Sequence, residues 1–272
     1  MVKGRFRWWF APLGIALFFG LMFGLGAAIP GVPKAPVTRA LFLGLPSFVF
    51  AAIALGLPRA IIGPLTSDEV GLRPGRRVPL VVISGACAII AGVALWEALS
   101  PTARAASETV AHSLGVGRSQ VADALTLLAI GTLAPIGEEL FFRGLIYRAL
   151  RDGLARWVSL KVTVPVGVIL SALVFGISHQ SEGQIAQLWA LVVTGAVLAV
   201  AYELSGSLMA PVLIHAINNS FAAVQAFGMA GADEARLLIA VLGPMLPVLA
   251  FLIMRGLRRA WKTGDSLRSR PS

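Results

Sequence analysis

Apolar residues run along this chain in long blocks, broken by short polar or basic segments. A hydrocarbon core about 30 Å thick needs about 20 apolar residues of helix to cross it. Eight blocks approach that length: 8–29, 41–63, 78–99, 122–147, 162–180, 184–203, 207–228 and 236–254. The pattern predicts an all-α, polytopic transmembrane bundle of about eight spans, with residues 1–272 forming a single integral membrane domain. Segment 41–63 is the weakest of the eight, because Pro46, Pro58 and the adjoining Pro64 punctuate it. Segment 122–147 is unusual in carrying two adjacent acids and an arginine. The first block, Trp8 to Ile29, follows Lys3, Arg5 and Arg7. It is too long for the apolar core of a signal peptide and no cleavage site is evident, so a first span is expected.

Composition agrees with the pattern. Hydrophobic residues make up 57% of the 272 and charged residues only 13%, about half the charged share of soluble domains; mean hydropathy is +0.83. The single cysteine, Cys87, lies within an apolar run and is expected to pack in the core rather than act as a nucleophile. A net charge of +10 raises the question of nucleic acid, but the basic residues fall between apolar blocks and at the chain ends. That placement suits loops facing anionic lipid, so the expected partner is the bilayer and not nucleic acid.

An even number of spans puts both termini on one side. Seventeen of the 23 Lys and Arg residues fall on that side and five on the other, with Arg143 inside a span. The excess predicts cytoplasmic termini and a multi-pass protein of a cell membrane. High Ala, Gly, Leu and Arg usage points to a bacterial inner membrane. The loop from Ser100 to Val121, which holds His112, is expected on the outer side and could form a short surface helix.

Ionised groups at membrane depth cost several kcal/mol unless paired or hydrated, so they face the bundle interior and usually serve function. Three spans carry such groups. In the first, Glu139 and Arg143 are four apart on one helical face, in the order an ion pair prefers. Glu138 is turned about 100° away from that face. Pro135 removes a backbone bond to Gly131 and can bend the helix ahead of the acids, opening a wet pocket. In the second, Phe175-Gly176-Ile177-Ser178-His179 ends its span. In the third, His215 and Asn219 share a face within apolar surroundings. By span counting, His179 lies near the outer end of its helix, whereas Glu138 and His215 fall nearer the cytoplasmic side.

Taken in order, E-E-x-x-x-R (Glu138 to Arg143), F-x-x-x-H (Phe175 to His179) and H-x-x-x-N (His215 to Asn219) resemble the motif set of one family. It is the CPBP family, the CAAX-protease and bacteriocin-processing enzymes, also called Abi or type II CAAX prenyl protease-like. The resemblance covers about residues 120–220, which would be the catalytic core. It implies an eight-helix intramembrane endopeptidase with its site inside the bundle. Mapped by motif, Glu138 is the base that activates water, assisted by His179. Glu139 and Arg143 support this geometry, and His215 and Asn219 stabilise the oxyanion. A partly desolvated glutamate suits proton transfer near neutrality, and His and Asn donors suit developing negative charge.

The expectation is a reaction without a cofactor. Zinc is the alternative, held by Glu138, His179 and His215 as two histidines and a glutamate; Asn219 suits an oxyanion better than a metal. The expected partner is a membrane-anchored protein or peptide substrate: CAAX-type, a leader peptide or a C-terminal sorting signal. Two other readings stand beside the peptidase. One is a non-catalytic scaffold or bacteriocin-immunity-type member of the same fold. The other is a proton-coupled transporter using the acids as a relay.

Overall fold

A computed structural model describes residues 5–28, 31, 34–102, 119–179, 185–229 and 245–268. All regular structure among these residues is helical, in the order α1 (Phe10–Ala28), α2 (Pro36–Ile62), α3 (Ser67–Val70), α4 (Val78–Leu99), α5 (Gln120–Leu154), α6 (Leu160–Ser178), α7 (Ile185–Ser205), α8 (Met209–Met229) and α9 (Met245–Arg268). Six of them, α1, α2 and α4 to α7, are long and apolar enough to cross a membrane. The chain is therefore a multi-pass, all-helical membrane protein.

Each of the eight expected segments coincides with a helix, and the differences have physical causes. Helix α2 runs unbroken through Pro46 and Pro58, a tolerance that packed neighbours give to transmembrane prolines. Helix α5 continues seven residues past its expected end at 147. Helix α8 is placed as expected, but the His and Asn residues it carries leave it outside the set of six. The eighth segment, 236–254, coincides with α9 only from residue 245. Its first part lies outside the described residues, as does most of the loop at 100–121. Cys87 is exposed, contrary to the expected core position. In a uniformly apolar helix nothing in the residue pattern separates a lipid-facing side from a packed one.

Helix α3 was not expected. Thr66 and Glu69 cap it reciprocally: the Glu69 N–H donates to Thr66 Oγ1 at 3.3 Å, and the Thr66 N–H donates to Glu69 Oε2 at 2.9 Å. The signature of Ser or Thr followed three residues later by Glu is legible in the sequence.

One end of the bundle is laced together by arginines. Arg5 donates to Glu69 and to the carbonyls of Ile62 and Pro64. Arg148 Nη1 donates to Asp68 O at 2.7 Å, and its guanidinium stacks 5.0 Å from the Phe6 ring. Arg73 donates to the Gly206 carbonyl, and Arg151 pairs with Glu203 at 2.5 Å. Trp261 of α9 donates to Leu65 O at 2.9 Å. These contacts gather the N-terminus of α1, the C-termini of α2, α5 and α7, and the starts of α4 and α8 on one side. Above that layer the interior is filled by Leu145, Ile146, Tyr147, Tyr202, Leu208 and Val212, all fully buried.

Candidate active site

Helix α5 departs from α-geometry on both sides of the acids, with π-helical turns at Ala129–Leu133 and Leu140–Tyr147. Pro135 accounts for the first. It has no N–H, and the Ala134 N–H reaches back five residues to Ala129 O. Carried on by one residue, that five-residue register would pair position 135 with Ile130, so the missing N–H leaves the Ile130 carbonyl without a donor. Asn219 of α8 fills the gap, donating from Nδ2 to Ile130 O at 2.8 Å. The asparagine of the third motif is thus held by a defect in the helix that carries the first. Gly137 admits α2 beside the acids: a Cβ there would collide with the Ser47 carbonyl.

Glu139 and Arg143 are both fully buried, and Arg143 Nη1 donates to Glu139 Oε1 at 2.8 Å. Arg143 Nη2 donates to the Gly195 carbonyl of α7 at 2.7 Å, and the guanidinium lies 4.9 Å from the centre of the Phe175 ring. The same Glu139 Oε1 lies 2.9 Å from His215 Nδ1. The expected supporting pair is therefore a three-membered unit that also fixes a histidine of α8. Removing either charge from such a buried pair typically costs about 3–5 kcal/mol.

Glu138, 8% exposed, points away from this unit. Its Oε2 lies 3.2 Å from His179 Nε2 and 3.8 Å from His215 Nε2. The other ring nitrogen of each histidine is committed. His179 Nδ1 is 2.8 Å from the Phe175 carbonyl, which accepts only, and His215 Nδ1 faces the Glu139 carboxylate. Both Nδ1 atoms therefore carry protons, and a neutral imidazole then turns a lone pair from Nε2 towards Glu138. Three acceptors, one oxygen and two nitrogens, converge. They are compatible with a proton shared among them, or with a water that donates to them. Such an arrangement can take a proton from a nucleophile and return it to a leaving group.

All six residues expected from the sequence come together, Glu138, Glu139 and Arg143 from α5, His179 at the end of α6, and His215 and Asn219 from α8. The expected difference in depth between His179 and the other two does not hold. Because α5 extends to Leu154, Glu138 lies further from the inner end than its predicted span implied. Sequence reasoning missed the main-chain partners, the Ile130, Phe175 and Gly195 carbonyls. Two had a signal: four-residue spacing on a helix sets His179 over the Phe175 carbonyl, and Pro135 marks the turn of Ile130 as one short of a donor. The Phe175 ring also packs 4.4 Å from the His179 ring and 5.7 Å from the His215 ring.

The site forms one wall of a cavity of about 650 Å³. Glu138, His179, His215 and Asn219 line it, among mainly apolar side chains that include Phe18, Phe50 and Phe175. His179 presents 30% of its side chain. Glu138, His179 and His215 supply the two nitrogens and one carboxylate that would hold a zinc ion; among the described residues, no three His, Cys, Asp or Glu side chains already stand in the geometry of a metal site.

Comparison with known proteins supports the motif reading. A stretch of 91 residues is 35% identical to an uncharacterised 24.3 kDa protein of Escherichia coli, covering 34% of this chain and 39% of that protein. No solved structure matches the chain. Residues 120–221 match the family model of the type II CAAX prenyl endopeptidase Rce1-like proteins, and the family resemblance carried by the three motifs, that of the CAAX-protease and bacteriocin-processing proteins, holds over this stretch.

Proposed function

We propose that this chain is an intramembrane endopeptidase that hydrolyses a peptide bond of a membrane-associated substrate. The substrate would be a CAAX-type protein, a leader peptide or a C-terminal sorting segment. The observation that carries the reading is the convergence of Glu138 Oε2 with His179 Nε2 and His215 Nε2 on the wall of an apolar cavity. Residues 120–220 form the catalytic core, within a bacterial inner membrane protein whose termini are cytoplasmic.

In this mechanism a water between Glu138 and His179 gives up a proton to that pair as its oxygen attacks the scissile carbonyl. The proton then passes to the departing amine. Asn219 keeps one N–H beyond the one given to Ile130, and that N–H meets the oxyanion. His215 can also donate from Nε2 once it carries both ring protons, with Nδ1–H remaining on Glu139. Preorganised donors of this kind are worth about 10²- to 10³-fold each in rate. This reading calls on no metal; stoichiometric zinc in the purified protein, lost on His179→Ala, would overturn that part of it.

The test compares wild type with Glu138→Ala and His179→Ala in detergent on membrane-anchored peptides. Cleavage should fall by at least about 10²-fold in each. Equal cleavage by all three would sink the assignment and favour a scaffold. Proton flux without proteolysis would favour the transporter, against which the closed, aromatic-packed interior on one side of the site stands.

A further inference from the structure

The two ends of the bundle differ in a way that bears on where a substrate can enter. The arginine-laced end holds the start of α1, the C-termini of α2, α5 and α7, and the starts of α4 and α8. Every cavity-lining residue comes from the opposite half of its helix or from its middle. Ile90 to Glu97 are the last turns of α4, Ser178 and His179 the end of α6, and Gln187 the first turn of α7; Gln225 belongs to the last turns of α8. Towards the arginines the cavity stops at Glu138 and His215. There the space between helices is taken by the fully buried Leu145, Ile146, Tyr147, Tyr202, Leu208 and Val212.

Seventeen of the 23 basic residues lie on the arginine side by sequence, and an excess of Lys and Arg marks the cytoplasmic face. We infer that the cavity is entered from the extracytoplasmic face. Resting on the peptidase reading above, this assigns the substrate class: an apolar peptide segment that has already crossed the membrane, such as the external juxtamembrane part of an exported, membrane-anchored chain. Peptides presented only on the cytoplasmic side, as a lipidated cytosolic C-terminus would be, lie behind the packed layer and do not reach Glu138.

The single native cysteine makes the inference testable. In a Cys87→Ala background, Gln187→Cys and Gln225→Cys place a thiol at the cavity, and Arg76→Cys places one at the arginine-laced end. A membrane-impermeant maleimide is applied to sealed right-side-out spheroplasts and to inverted vesicles. The inference expects the cavity cysteines to react in spheroplasts and lose labelling in inverted vesicles, with Arg76→Cys behaving oppositely. Cavity cysteines that react only in inverted vesicles, from both sides, or from neither would overturn it. The labelling reads the entrance alone, so it succeeds or fails independently of the Glu138→Ala cleavage comparison that tests peptidase activity.

Discussion

Glu139 and His215, on different helices, meet at 2.9 Å through Oε1 and Nδ1, and the same oxygen accepts from Arg143 at 2.8 Å. A single buried carboxylate atom therefore sets both the charge balance of α5 and the ring orientation of a histidine on α8. Glu139→Ala should destabilise the protein by about 3–5 kcal/mol, because it leaves the Arg143 charge buried without its partner. Replacing both charges, as Glu139→Leu with Arg143→Met, should recover most of that loss. It should not recover activity, since His215 then has nothing to hold its Nδ1 proton. Thermal unfolding in detergent alongside a cleavage assay separates the two; activity returning with stability would refute the orienting role.

Asn219 has two tasks that a double substitution can part. Asn219→Ala strands the Ile130 carbonyl, at about 1–3 kcal/mol, and removes the proposed oxyanion donor, at about 10²- to 10³-fold in kcat. Pro135→Ala returns a backbone N–H to that turn. Added to Asn219→Ala it should restore stability while leaving kcat low. Recovery of both would mean that Asn219 only mends the helix.

Gly137 is where α2 comes closest to the acids. Gly137→Ala would press a methyl group onto the Ser47 carbonyl, and overpacking of this kind costs typically about 1–3 kcal/mol. Gly20→Ala, where a Cβ meets nothing within 4 Å, is the control and should leave the melting temperature unchanged. Equal behaviour of the two would show that α2 has room to retreat.

Outside the spans, Glu69 gives a pH signature. Burial alone would push its carboxyl up, but the Arg5 hydrogen bond and the Thr66 N–H more than offset this and hold it below the usual value of 4.5. A depressed carboxyl contributes stability that is fully present above the unfolded value and is lost as pH falls through the folded one. The stability difference between wild type and Glu69→Gln should therefore be constant from pH 6 to 9 and shrink below roughly pH 4.5. Arg5, raised above its ordinary value by the same contact, stays charged throughout that range. A difference that grows on acidification would contradict the pairing.

The helices were legible because a bilayer demands long apolar runs, and the six polar residues because burial in lipid makes them conspicuous. Both signals are about where a residue sits, not whom it meets. That Glu139 would share one oxygen between Arg143 and His215 depends on how α5 and α8 pack, which spacing along either helix does not encode. The π-turns were out of reach for the same reason. Pro135 announces a missing bond, but that the loss reaches Ile130 depends on the winding of the turn before it. Cys87 shows the converse: in a helix apolar on every side, sequence cannot tell lipid from core.

The packed layer of Tyr147, Tyr202, Leu208 and their neighbours closes one side of the site, and that makes the chamber a cul-de-sac. On the proposed peptidase reading, hydrolytic water, peptide and both fragments then share the open side, and an apolar fragment has little reason to leave for water. Turnover in such a chamber is governed by emptying it. Product that accumulates in the surrounding lipid should act as a competitor, and the enzyme would work fastest where a second process draws the released fragments away.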